Sequence, residues 1–510
     1  MALKYKMFID STETSATNVD KKIFYLSDYL VFNRTDDTAK KAREEYWDTE
    51  LENLVLNDGV AQSNPTFSGM EIPETTLESG QVKIFTLAIY MPTSVGNEAN
   101  WWKRFTSSKA PTITFGLNVV ATQVDYESDS FGSDYDKDLK SVWDGKTVDT
   151  SWYDESKDLF VISSAEQLAG LAVLCAEGKY TDYSDKKFAN KTIELAADID
   201  FAGNEIQQIK LFGGKFNGNG HKLENLEIRN EEQNVGLIGK ITSGGMVENL
   251  VIENAVVEKV GNVDGATGIL VGSLNGGTVK NVKVIGESSV TGQLRTGGLI
   301  GELRSSAQVI GCENHAAVTG AAQYAGGIVG AAHKYGIKTF KDCINYGDVN
   351  GKTEVGGIIG YADTAQIANC ENHGDVTGTG PYGVGGILGF AAYNGSLSSG
   401  STLNACKNYG TIKAPNHVGG ILGTFACTPG KSQPSSKIYS TLDNCANYGD
   451  VIGNEKCGTI FGYQHSYANG DADANINNLY VKMVNCLNEG KLNGEASEQM
   501  SGSTFVEIEK

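Results

Sequence analysis

Short runs such as Leu223-Glu224-Asn225-Leu226-Glu227-Ile228 and Val279-Lys280-Asn281-Val282-Lys283-Val284-Ile285 alternate apolar and polar positions at period two, bounded by Gly, Asn and Asp. That period predicts strands with one face on a core. The strands are punctuated by glycine-bracketed apolar pairs or triplets, among them Gly298-Leu299-Ile300-Gly301, Gly327-Ile328-Val329-Gly330, Gly357-Ile358-Ile359-Gly360, Gly386-Ile387-Leu388-Gly389 and Gly420-Ile421-Leu422-Gly423. A Cys-x-Asn tripeptide follows each bracket, at Cys312, Cys343, Cys370, Cys406, Cys445 and, after the degenerate bracket Gly458–Gly462, Cys486. From Gly272 to Gly389 the closing glycines recur about every 30 residues, a solenoid period. No 3.6-residue apolar stripe accompanies it, so repeats built on helices are excluded. The pattern predicts a right-handed parallel β-helix whose coils each carry three short strands and three turns. Nine or so coils stacked about 4.8 Å apart make a rod roughly 40 Å long.

Just ahead of the coils, Ser163 and Glu166 read as a capping box, with Leu168, Leu171, Ala172 and Cys175 on one helical face and Gly178 as the stop. A short helix there would close the apolar end of the first coil. Residues 1–125 lack the repeats. Lys83–Tyr90 and Ile113–Gln123 read as long strands of an antiparallel, jelly-roll-like β-sandwich, with no clear strand before Lys22. The organisation expected is a sandwich over 1–125, an acidic linker over 126–150, an opening region with the capping helix over 151–235, repeats over 236–495 and a tail over 496–510.

Composition suits this picture. The 62 glycines serve tight turns and close approaches, and only 8 prolines interrupt ladders that need every N–H. A net charge of −20 argues against nucleic acid and anionic membranes, and no apolar stretch reaches spanning length. The acidity suits an extracellular surface, with calcium the one cofactor the acids would accept. The nine cysteines form no zinc-spaced cluster. One per coil, Cys312, Cys343, Cys370, Cys406, Cys445 and Cys486 are expected to form a buried apolar column. In the same slot of earlier coils stand Leu250 and Val282, while Cys457 takes the place of Val355, Val384 and Val418. Asn314, Asn345, Asn372, Asn408, Asn447 and Asn488 are expected to stack as an internal amide ladder.

Chemistry is sparse. All six histidines fall in the solenoid and none in an HExxH motif, so no catalytic zinc is expected. Asp348 and Asp375 occupy matching turns, near the separation of a retaining glycosidase pair, although Asp after a turn glycine also bonds locally. Asp198 and Asp200 read as a solvated turn. A binding role has better support: Tyr346, His373, Tyr409 and Tyr448 should point outward beside the Asn ladder, as a column of rings suited to sugars. The stretch from closing glycine to next Cys also grows, from 10 residues at Gly360–Cys370 to 24 at Gly462–Cys486. That places insertions on one edge, where Tyr439, Tyr463 and Tyr467, with Tyr393, Phe425 and Tyr480, would offer aromatic surface.

The Gly-Gly-(Leu/Ile)-(Ile/Val)-Gly units followed by Cys-x-Asn-x-Gly resemble GLUG-type repeats of bacterial surface proteins. Trp152-Tyr153-Asp154, Phe160–Leu168, Leu195–Phe201 and Phe216–His221 resemble the region that opens such solenoids. Strands around Lys83–Tyr90 and Ile113–Gln123, with Leu77-Glu78-Ser79-Gly80, Met91-Pro92, Val95–Asn100 and Asp129-Ser130-Phe131-Gly132, resemble the C-terminal half of TasA/camelysin-type proteins. The resemblance implies a secreted protein of the Gram-positive cell surface or biofilm matrix. It would be non-catalytic, adhering to a glycan or protein through the β-helix and self-assembling through its N-terminal domain. No secretion signal opens the chain, as expected of a trimmed start. The alternative reading is a carbohydrate-active β-helix enzyme, a lyase or glycoside hydrolase.

Overall fold

A computed structural model describes residues 143–176, 188–261, 264–333, 336–393, 399–427, 434–466 and 478–509, together with seven strands between residues 3 and 123. The chain divides into two compact units, Met1–Lys140 and Ser141–Lys510.

In the first unit Leu3–Thr14 is the middle strand of an antiparallel sheet, between Ile72–Leu77 and Thr112–Gln123. Its register against the latter runs unbroken from Leu3↔Gln123 to Thr14↔Thr112. Val31–Thr35 pairs antiparallel with Thr86–Tyr90, and Ala16–Thr17 with Ile23–Phe24. The strands expected near residues 83–90 and 113–123 are present. A strand before Lys22, which the sequence reading does not see, is the central strand of the sheet and as long as its partner Thr112–Gln123. The described pairings are antiparallel but do not make up a two-sheet sandwich.

The second unit is a parallel β-solenoid. Four sheets run along it, and each coil visits them in turn. The bracket face has nine strands, from Ile209–Phe212 to Phe461–Ser466, in line with the expected coil number. The cysteine face runs from Leu159–Ile162 to Val506–Glu509 in twenty strands, because in most coils it contributes two. A third face has ten strands and a narrow fourth has eight, the latter from Asn234–Val235 to Glu455–Gly458.

Three strands per coil was therefore too few. The residue before each core cysteine or its equivalent adopts a left-handed conformation: Asn249, Asn281, Gly311, Asp342, Asn369, Ala405, Asn444 and Asn485 all have φ between 50° and 63°. That bend folds the cysteine face in two. Asn, Asp and Gly accept this region most readily, and seven of these eight positions carry one of them.

Register is kept from coil to coil. Val355 pairs with Val384, Val384 with Val418 and Val418 with Cys457, and Leu250 with Val282, as the repeat predicts. One continuous core runs from Trp143 to Met483. Trp143, inside the stretch assigned to a linker, packs edge-on against Phe201 at 5.8 Å.

The capping helix spans Ala165–Leu174 and buries Leu168, Leu171 and Ala172, with Cys175 buried at its end. Its cap is Ser164 rather than Ser163. The Ser164 hydroxyl accepts from Gln167 N–H, while Gln167 Oε1 accepts from Ser163 N–H at 2.9 Å, so the side chain that reaches back is that of Gln167 and not Glu166, and it meets the residue before the cap. The helix stops at Cys175, whose N–H bonds to Leu171, ahead of Gly178.

Candidate functional site

On the inner side of the cysteine face, Cys312, Cys343, Cys370, Cys406 and Cys445 are buried, Cys486 is partly so, and all are free thiols. Each turns its sulfur to backbone carbonyls, as Cys343 does toward Val309 at 3.5 Å and Lys341 at 3.4 Å. Burial raises the Cys312 thiol well above its ordinary value. The neighbouring thiol and then burial do the same for Cys370 and Cys486. Two residues on, the asparagines form a continuous ladder. Asn314 Nδ2 donates to Asn345 Oδ1 at 2.8 Å, Asn345 to Asn372 at 2.9 Å, Asn372 to Asn408 and Asn408 to Asn447 at 2.8 Å, and Asn447 to Asn488 at 3.0 Å. The second amide proton of each goes to the carbonyl two residues ahead, as from Asn372 to Gly374 at 2.8 Å. Both protons of a buried amide are thus satisfied, and every amide dipole along the rod points the same way.

The residue after five of the six ladder asparagines is an outward ring, and Glu489 follows the sixth, Asn488. His315, Tyr346, His373, Tyr409 and Tyr448 form an unbroken stack, with centroids 4.6, 4.8, 4.5 and 4.9 Å apart and interplanar angles of 25°, 21°, 12° and 8°. His315 extends the four rings foreseen from the sequence. Tyr346 and Tyr409 stay 41% and 39% exposed. The faces, however, are spent on one another, so the stack shows solvent its edges. His315 Nε2 meets Glu313 Oε1 at 2.7 Å and His373 Nε2 meets Glu371 Oε2 at 3.3 Å. Lys283 and Lys407 complete ion pairs with the same two glutamates at 2.8 and 3.0 Å.

The insertion aromatics do not gather. Tyr393 and Phe425 are buried in the main core, because the bracket-face strands lengthen there to Leu388–Tyr393 and Leu422–Cys427 and carry them inward. Tyr439 lies on the cysteine face, its hydroxyl donating to Glu507 at 2.9 Å and its ring 5.8 Å from Tyr480. Tyr463 lies elsewhere, stacked on His417 at 5.1 Å with Lys456 Nζ 4.5 Å from its ring centre. Tyr467 falls outside the described residues.

Tyr463 belongs to a feature that the sequence reading missed. Where the narrow face turns into the bracket face, the residue two before the glycine pair meets the residue after the closing glycine, on the outside of the coil. Arg295 meets Glu302 at 3.0 Å, and Tyr324 packs on Tyr361 of the next coil at 4.9 Å. Tyr324, Glu354, His417 and Lys456 adopt φ of 51° to 59° to reach this corner. At its most polar point Glu302, with 1% of its side chain exposed, is held by Arg304 at 2.6 Å, Arg295, His333 at 2.9 Å and Ser273 at 2.8 Å. Burial alone would raise its carboxyl. The His333 hydrogen bond and the two guanidiniums outweigh it and bring it down to about 2.

The four aspartates singled out in the sequence are engaged in turns. Asp348 Oδ1 accepts from Asp375 N–H at 3.0 Å, and Asp375 Oδ1 from Thr411 N–H at 2.8 Å. Asp198 Oδ1 takes Lys222 N–H and His221 Nδ1, each at 3.0 Å, and Asp200 takes Ala202 N–H at 2.8 Å. Among the described residues no three His, Cys, Asp or Glu side chains converge as a metal centre, and no helix is long and apolar enough to cross a membrane. The acids of 126–142 lie outside the described residues.

No protein-family profile matches the chain. It is similar to halomucin of Haloquadratum walsbyi, with 30% identity over 319 residues that cover 50% of this chain. The chain thus spans about 3% of that protein's length. Among solved structures it is similar to a protein of Bacteroides ovatus provisionally assigned as an immunoglobulin A1 protease, at 18% identity and a TM-score of 0.33, covering 70% of this chain and 85% of that one.

Proposed function

We propose that this chain is non-catalytic and works outside the cell or on its surface, and that its solenoid holds a glycan along the ring stack His315–Tyr346–His373–Tyr409–Tyr448. The observation that carries the reading is the stack itself, five outward rings in register on a scaffold made rigid by the ladder beneath it. Its phenol edges offer hydroxyls along the rod, with spacing set by the coil. The similarity to a relative named as a mucin supports an extracellular place, as does the acidic charge of −20. The repeat pattern supports kinship with GLUG-type surface proteins. The antiparallel first unit supports a TasA-like role in self-assembly. Asp348 and Asp375 each commit an oxygen to a backbone N–H, which favours a structural role over glycosidic acid–base chemistry. A glycan array on the full chain, read for retention and for released reducing ends, tests the proposal. Retention without turnover, lost in Tyr346→Ala/Tyr409→Ala/Tyr448→Ala, is the expected result. No retention by the intact chain, or retention unchanged by the triple substitution, overturns it.

A further inference from the structure

We infer that the ligand of the ring stack is an uncharged glycan lying along the rod axis, and that Asp348, Asp375 and Asp450 enforce this choice by rejecting polyanions. The inference rests on the ring-stack reading and adds orientation, charge and the residues that set specificity.

Orientation follows from what the stack leaves free. With the faces between neighbouring rings covered, the groups that line the length of the stack are the hydroxyls of Tyr346, Tyr409 and Tyr448, since both imidazoles already turn Nε2 to glutamates. The rings that carry these hydroxyls stack along the rod axis, and consecutive coils are about 4.8 Å apart. From His315 to Tyr448 the stack spans four coil steps, on the order of 19 Å. An extended peptide cannot dock there as an added strand. The backbone N–H of each ring residue is taken by the preceding coil: Tyr346 by Asn314, His373 by Asn345, Tyr409 by Asn372 and Tyr448 by Asn408, all at 2.7 Å. A chain bearing hydroxyls at regular intervals needs only side-chain edges.

Charge decides which such chain. The glutamates on one flank are balanced, Glu313 by Lys283 and Glu371 by Lys407. On the other flank, two residues beyond the ring in their coils, stand Asp348, Asp375 and Asp450. Each carboxylate accepts one backbone N–H of the next coil, the last from Lys491 at 3.0 Å, and none makes an ion pair among the described residues. A hydrogen bond does not neutralise a carboxylate. A polyuronate or sulfated chain on the stack would run beside three full negative charges, within a screening length of about 8 Å. Repulsion of this kind separates ligands that share the same hydroxyl pattern.

The same bonds make the inference testable without unfolding the rod, because an Asn Oδ1 accepts the next-coil N–H as an Asp Oδ1 does. Cello-, manno- and laminari-oligosaccharides, from disaccharide to octasaccharide, and their C6-oxidised uronate counterparts would be titrated into the full chain and into Asp348→Asn/Asp375→Asn/Asp450→Asn. The native chain is expected to bind a neutral series, more tightly with length until the stack is spanned, and to bind its oxidised counterpart at least about tenfold more weakly at low salt. The Asn variant should close most of that gap while neutral binding stays unchanged, and added salt should close it in the native chain. Equal binding of both series by the native chain, or a gap the Asn variant leaves intact, overturns the inference. The ring-stack reading fails separately, when Tyr346→Ala/Tyr409→Ala/Tyr448→Ala leaves neutral binding intact or nothing binds the native chain, and the inference falls with it.

Discussion

Gly357 and Asn372 meet across the core, where a Cβ added to Gly357 would stand 2.3 Å from Asn372 Cγ. The same holds for Gly327 with Asn345 at 2.3 Å, and for Gly386 with Asn408 and Gly420 with Asn447 at 2.4 Å. The glycine bracket and the Cys-x-Asn tripeptide are thus two halves of one contact. Five coils that keep a ladder amide keep the glycine opposite, and only the terminal one, with Asn488 in the ladder, carries Thr459 there instead.

Gly357→Ala should therefore cost about 1–3 kcal/mol by overpacking. Asn372→Ala should cost at least as much, since it leaves the Asn345 amide without its acceptor and Asn408 Oδ1 and the Gly374 carbonyl without a donor. The alanine methyl of the first variant would stand 2.1 Å from the Gly386 carbonyl oxygen as well as 2.3 Å from the amide that the second removes, so the amide's loss relieves part of the clash and the pair should cost somewhat less than the sum. Urea midpoints of the two single variants and the double variant check this. Strict additivity would mean that the contact is not shared.

That contact also explains what the sequence made legible. Glycine brackets and ladder asparagines recur because the close approach and the buried amides are met inside the rod by the same two residue types, Thr459 in the terminal coil being the exception, and these gave the repeat, the register and both inner columns. The outer corner stayed hidden because its partners change chemistry from coil to coil: Arg295 with Glu302, Tyr324 with Tyr361, Lys456 with Tyr463. Only the geometry pairs them. The bend before each core cysteine was written in its Asn, Asp and Gly residues, yet Ala405 breaks the column. Tyr393 and Phe425 were misplaced because a longer gap was taken for loop, where part of it lengthens a strand.

The column thiols should be slow to react and replaceable by apolar residues. Cys370 is buried and its thiol raised, so native protein should resist alkylation there. Cys370→Val should cost little, and Cys370→Ser about 1–3 kcal/mol for a poorly matched hydroxyl. Rapid native labelling of all six thiols would overturn this, as would a serine variant as stable as the valine one.

Acid should weaken the rod through Glu302. Its carboxyl is brought to about 2 in the folded chain from an ordinary 4.5, so its stabilisation is fully present above about 4.5 and is lost as pH falls toward 2. The amount is on the order of 3 kcal/mol. Glu302→Gln should remove most of that acid dependence. It should also cost about 3–5 kcal/mol at neutral pH, because Arg295 and Arg304 would lose their shared partner. Melting temperatures from pH 2 to 7 for both proteins would show it, and parallel curves would refute it.

Gly170 sets helix propensity against packing. In an exposed helix, replacing Gly by Ala stabilises by about 1 kcal/mol. Here the helix Ala165–Leu174 presses Gly170 onto the segment before it: a Cβ would stand 1.9 Å from the Asp149 carbonyl oxygen and 3.3 Å from Trp152 Nε1. That carbonyl cannot simply swing aside. It accepts the Trp152 indole N–H at 2.9 Å, while Asp149 N–H bonds to the Glu166 carbonyl at 2.9 Å. Moving it would also disturb Trp152 where it packs edge-on against Phe160 at 5.4 Å, beside the first coil. Gly170→Ala should therefore destabilise the solenoid by about 1–3 kcal/mol, the opposite sign from propensity. Ala169→Gly, at a neighbouring buried position, should destabilise as propensity predicts and gives the reference. A Gly170→Ala variant that melts above the native chain would show that the segment at Asp149 does not hold the helix as described.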